Sequence, residues 1–127
     1  MAEFLKFFAV AFAVFLVIDL VWLGFVARKF YKQQLGYLMA EKVNWVAAII
    51  FYVIYIAGLT YFVLLNATSW TDALLNGALL GFLGYATYDL TNLSTVKGWP
   101  LKITIVDLLW GTTLGALVSV ITFLLVG

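Results

Sequence analysis

The chain has 127 residues, of which 66% are hydrophobic and only 10% charged, a formal net charge of +1, and neither cysteine nor histidine. About a quarter of a soluble domain's residues are charged, so this composition cannot cover a water-facing surface; it describes a polytopic membrane protein of one domain, residues 1–127. Without Cys and His there is no thiol chemistry, no Cys- or His-ligated zinc and no His-ligated haem, and the near-neutral charge argues against nucleic acid as a partner.

The first apolar run covers residues 4–27, long enough to cross ~30 Å of hydrocarbon. It continues past Asp19 through Trp22 without a small-x-small cleavage site, which favours a membrane span over a signal peptide. Arg28, Lys29 and Lys32 stop it. Residues 30–43 mix Phe30, Tyr31, Leu35, Tyr37, Leu38 and Met39 with Lys32, Gln33 and Gln34, a composition suited to the headgroup region. The second run, 44–65, opens on Trp45 and is rich in aromatics. A polar turn follows, in which Ser69-Trp70-Thr71-Asp72 has the spacing of a helix capping box. The third run, about 73–93, ends in Gly84-Tyr85-Ala86-Thr87-Tyr88-Asp89-Leu90-Thr91-Asn92. Lys97-Gly98-Trp99-Pro100 makes the next loop, and residues 101–126 form the last run. The expected fold is an all-α bundle of four transmembrane helices with both termini on one face.

The basic residues set the orientation. Arg28, Lys29, Lys32 and Lys42 fall between runs one and two, Lys97 and Lys102 between three and four, and Lys6 alone on the opposite side. The positive-inside rule then puts both termini outside and both basic loops in the cytoplasm. Asp19 precedes Arg28 by nine residues, roughly 13 Å of helix, and Asp107 follows Lys102 by five, roughly 7 Å. Asp89 lies eight residues before Lys97. All three carboxylates therefore fall in the cytoplasmic half, with Tyr52 and Tyr55 at similar depth. Polar groups at one depth must meet inside the bundle, because lipid offers them no partner.

Asp19-Leu20-Val21-Trp22 is echoed by Asp107-Leu108-Leu109-Trp110, and each i,i+3 pair puts an indole on the same helix face as its carboxylate. Tyr85, Asp89 and Asn92 likewise share one face, with Tyr88 adjacent. The candidate cavity residues are thus Asp19, Trp22, Tyr52, Tyr55, Tyr85, Tyr88, Asp89, Asn92, Asp107 and Trp110. The plain alternative is interhelical glue. Such contacts average only about 0.6 kcal/mol in membranes, a poor reason to hold three carboxylates there. Trp22 and Trp110 taken alone read as packing, and Trp45, Trp70 and Trp99 as interfacial belt residues. Gly77-x-x-x-Gly81 and Gly111-x-x-x-Gly115 each put two glycines on one face, for contact between the third and fourth runs or, alternatively, for a homodimer seam.

Tyr85 to Asn92, Lys97-Gly98-Trp99-Pro100, Asp107-Leu108-Leu109-Trp110-Gly111, Phe51-Tyr52 and Gly58-Leu59 resemble a family of small bacterial integral membrane proteins catalogued only as a domain of unknown function. The resemblance covers almost the whole chain and implies four helices in a bacterial inner membrane. It supplies no activity. Val43 stands where the resemblance leads one to expect proline, at the start of the second helix.

Three functions fit these residues. The first is binding or transport through an acidic, aromatic-lined cavity facing the cytoplasm, coupled to a proton or cation, since intramembrane carboxylates commonly mark such pathways and Trp and Tyr favour organic cations. The second is an enzyme. Paired aspartates could activate water, although Val106 precedes Asp107 where intramembrane aspartyl proteases carry glycine; three carboxylates could instead hold Mg²⁺, although no Asp-x-x-Asp pattern supports it. The third is a structural or accessory subunit. No cofactor and no metal-ligand set is specified by the sequence; the lipid bilayer is the one partner it requires.

Overall fold

The computed structural model describes residues 1–36 and 44–127, which form helices and no strand. Tyr37, Leu38, Met39, Lys42 and Val43 lie outside the described residues. Helix α1 runs Ala2–Val21 and continues as a π-helical turn, Trp22–Val26; α2 is Arg28–Leu35; α3 runs Trp45–Leu59 and continues as a second π turn, Thr60–Leu64; α4 is Trp70–Thr95 and α5 Leu101–Val126. Among the described residues, three helices are long and apolar enough to cross a membrane: Ala2–Val26, Trp45–Leu64 and Leu101–Val126. The 26-residue α4 equals α5 in length. Asn76, Thr87, Asp89, Thr91 and Asn92 make it the most polar of the long helices.

Each helix starts where a local signal puts it. Asn44 caps α3 by accepting from Ala47 N at 3.1 Å. Ser69 Oγ accepts from Asp72 N at 3.2 Å, so α4 begins at Trp70, earlier than the hydrophobic pattern alone indicates. The Asp72 carboxylate turns to Thr68 instead of closing a reciprocal box on Ser69, accepting from its N–H at 3.0 Å and its hydroxyl at 2.6 Å. Pro100, with extended backbone, precedes α5 and costs the helix no donor.

A four-residue rhythm of buried positions organises the interior. On α1 it is Phe7, Ala11, Phe15 and Asp19; on α4, Ala73, Gly77, Gly81 and Asp89. Residues four apart form one ridge of a helix surface, so both ridges run from an apolar end to a carboxylate. The α1 ridge packs on Ile56, Leu59 and Leu64 of the α3 arm and on Leu114 and Val118 of α5. Between α4 and α5 the backbones themselves touch. A Cβ at Gly81 would strike the Gly111 carbonyl, and one at Gly115 the Gly77 carbonyl. The glycine faces are therefore occupied within one chain, and the dimer seam expected as their alternative use is not available to a partner.

The helix hydroxyls are mostly satisfied locally, as a medium without water demands. Thr60, Thr87, Thr112 and Thr113 each donate to the carbonyl four residues earlier, at 2.7–2.8 Å. The three aspartates have no such local outlet.

Candidate functional site: an acidic aromatic cavity

The π turn after α1 carries one backbone bond spanning five residues, Ala27 N to Trp22 O at 2.7 Å. Such turns recur at functional sites because they re-aim side chains. Here the turn ends α1, and the chain comes back as α2 to pack on α5. Tyr31 of α2 thereby meets residues of the π turn and of α5. Trp22 Nε1 donates to the Tyr31 hydroxyl at 3.4 Å, and that hydroxyl donates to Asp107 Oδ1. Burial, and then its donation to Asp107, push the Tyr31 phenol above its usual range, which keeps it a proton donor.

The two Asp-x-x-Trp segments face each other. The Trp22 and Trp110 rings stack with centroids 4.3 Å apart and planes within 8°. Beside them lies a cavity of about 360 Å³, lined by Asp19, Trp22, Leu23, Tyr31, Leu35, Ala48, Phe51, Tyr52, Tyr85, Tyr88, Asp107 and Trp110. No lysine or arginine is among those residues. Trp110 Nε1 is buried without a hydrogen-bond partner among the described residues and points toward the Asp19 carboxylate, short of hydrogen-bonding geometry.

Asp89 is wholly buried behind the cavity wall. Its carboxyl lies within hydrogen-bonding reach of Asp107. As two carboxylates the pair has no donor, and neither Asp89 oxygen has any other partner among the described residues. One proton placed between them turns the contact into a hydrogen bond.

Seven of the ten residues singled out from the sequence line this one cavity: Asp19, Trp22, Tyr52, Tyr85, Tyr88, Asp107 and Trp110. Tyr55 lines a neighbouring, apolar cavity of about 270 Å³ with Phe51, Gly84, Tyr85 and Tyr88. Asn92 lies one turn beyond Asp89, among the lining residues of neither cavity. The three carboxylates do not gather as a metal-ligand set among the described residues. Tyr31 is the residue that sequence reasoning missed. Tyr31 and Leu35, four residues apart, both face the cavity, so α2 turns one side to it. Trp99 also differs from expectation: it is buried, edge-on to Tyr88 at 5.8 Å, whereas Trp45 and Trp70 are exposed as interfacial residues are.

The sequence profile of a family described as "Predicted membrane protein (DUF2177)" matches residues 4–124. The chain belongs to this family. No curated protein and no solved structure matches it.

The cavity of this DUF2177 chain offers negative charge, π faces and a protonated phenol, and no cationic side chain among the described residues. Such a site attracts cations, and stacked indoles and phenols favour those with spread charge and apolar substituents. The paired carboxyls add a place to hold or release one proton.

Proposed function

We propose that this protein binds, and moves across the bilayer, an organic cation held in the cavity between Asp19, Asp107 and the Trp22–Trp110 pair. The observation that carries this reading is the cavity lining itself: two carboxylates and seven aromatic residues, with no basic side chain among the described residues. A buried carboxylate lacking a counter-ion is costly, and an incoming cation supplies the missing charge. In this reading α4 is a fourth crossing, both termini lie on the outer face, and the cavity faces the cytoplasm of a bacterial inner membrane. The length of α4, its intimate packing on α5 and the basic loops support that topology. Reporter fusions after Gly127 and within 94–99 should read outside and inside respectively; the reverse pair would turn the cavity to the other face.

The coupling follows from the pair Asp89 and Asp107. With the cavity empty, one shared proton satisfies both carboxyls. A cation reaching Asp107 supplies the positive charge instead, and the proton leaves. Binding of benzyltrimethylammonium to the protein in lipid nanodiscs tests the reading. Asp107→Asn should weaken it at least tenfold, about 1.4 kcal/mol. Unchanged affinity in that variant would remove the cavity from the account.

The paired carboxyls also suit water activation, the reading of the site as a hydrolase. Asp89, however, lies behind the cavity wall with no exposed surface, where it cannot reach a substrate in the cavity.

A further inference from the structure

The acidic cavity adjoins a second, apolar one. The two share Phe51, Tyr85 and Tyr88 as common walls; the second adds Tyr55 and Gly84 and no charged group. It lies between α3 and α4, whose main contact is at the far end, through Thr60–Leu64. Below that contact the helices part. Gly84 sits in the gap: a Cβ there would find only Tyr55 Cε2 within 4 Å, at 3.9 Å. Phe51 and Tyr88, on the two sides of the gap, are 49% and 57% exposed, so the opening faces outward, toward lipid in a spanning bundle.

The geometry points to a single-chain cationic amphiphile as the ligand, its ammonium head in the acidic cavity and its alkyl tail in the window between α3 and α4. This rests on the organic-cation reading above and adds the ligand's class and its route. Charge complementarity places the head beside Asp19 and Asp107. Adjacency of the two cavities, which share three aromatic wall residues, places the tail. An apolar slot that opens toward the bilayer, beside an acidic cavity, accepts a molecule that is itself partitioned into lipid. Such a ligand enters sideways from one leaflet, and its tail never has to leave an apolar medium. Gly84 leaves open a space that a bulky side chain would fill.

The test compares two probes in the same nanodiscs, tetramethylammonium and decyltrimethylammonium, so that partition of the longer probe into lipid cancels between variants. Gly84→Leu should weaken the decyl compound at least tenfold more than the tetramethyl compound. Equal weakening of both, or of neither, would overturn the tail site. A second measurement needs no variant: a decyltrimethylammonium carrying a terminal diazirine, photolysed on the unmodified protein, should label residues within 51–55 and 84–88. Labelling confined to 24–32 would place the tail at the α1–α2 connection and overturn the window. If tetramethylammonium fails to bind even the unmodified protein, the organic-cation reading falls, and this inference with it. Head binding that ignores Gly84, with no preference for the tail, leaves the first standing and refutes only the second.

Discussion

Tyr31 and Asp107 stand 76 residues apart in the chain and are joined by one hydrogen bond, the phenol donating to the carboxylate. That bond ties the short α2 helix to α5 and closes one side of the acidic cavity. It also puts a neutral donor where a cationic ligand would sit.

The first prediction is a double-mutant cycle on that pair. Tyr31→Phe keeps the ring and removes the donor; Asp107→Asn keeps the shape and removes the charge. Interhelical polar pairs in membranes couple by about 0.6 kcal/mol, reaching about 1.7. The hydrogen bond should appear as coupling in the upper part of that range in unfolding equilibria of the two single variants and the double variant. Additive effects would mean that the bond does not hold α2 in place.

Glycines on α4 should differ sharply over a single turn. Gly81 meets the Gly111 backbone, which cannot yield as a side chain does, whereas Gly84 meets open space. Gly81→Ala should therefore cost about 1–3 kcal/mol or more by overpacking. Gly84→Ala should lie close to neutral. Thermal unfolding in one detergent checks both, and similar losses at the two sites would contradict the close approach of α4 to α5.

At the start of α4 the stabilising groups are Ser69 and Asp72. Ser69→Ala should cost about 1 kcal/mol, the usual worth of an N-cap. The hydroxyl and N–H of Thr68 hold the Asp72 carboxyl below its ordinary value. A carboxyl depressed in the folded state binds its proton more weakly there than when unfolded. Its stabilising effect is therefore present above the unfolded value of about 3.9 and is lost as pH falls through the folded value. Unfolding followed from pH 6 downward should show that loss, and Asp72→Asn should remove this contribution. An unaltered acid profile in that variant would mean that the Thr68 contacts do not persist.

Asp89 should govern proton release. Cation binding to the unmodified protein in weak buffer should release about one proton per cation, as linkage requires of a shared proton displaced by charge. Asp89→Asn gives Asp107 a permanent amide donor in nearly the same shape. The bundle should remain folded and the proton release should vanish. Release equal to that of the unmodified protein would move the exchanged proton to another group of the cavity, Asp19, Asp107 or one of its tyrosines.

Much of this arrangement was legible in the sequence because it depends on helix periodicity. The apolar runs mark three helices of spanning length. The Asp-x-x-Trp echo put carboxylate and indole on one face of each helix, and those faces meet in the Trp22–Trp110 stack. The glycine spacing gave the contact between α4 and α5. What periodicity cannot carry is the return of the chain. Tyr31 enters the cavity because the π turn at Trp22–Val26 and the helix after it fold back on α5, and no spacing within residues 22–35 specifies that. The partner of Asp89 likewise lies beyond the reach of helix periodicity. Tyr85 and Asn92 share its face at i−4 and i+3, but Tyr85 looks into the cavity and packs against Gly111, and Asn92 lies beyond it. The carboxyl turns across to Asp107 on the neighbouring helix. Trp99 follows the same pattern, since its place in a loop predicts exposure and only the packing on Tyr88 buries it.

The central claim is that the acidic aromatic cavity holds an organic cation, and the position of the bound cation tests it most directly. Benzyltrimethylammonium carrying a bromine on its ring gives an anomalous signal that can be located in crystals of the protein grown with lipid. The account predicts a bromine peak in the cavity bounded by Asp19, Asp107, Trp110 and Tyr85, lost when Asp107 is replaced by Asn. A saturated protein with its bromine anywhere else, and that cavity without a peak, would contradict it.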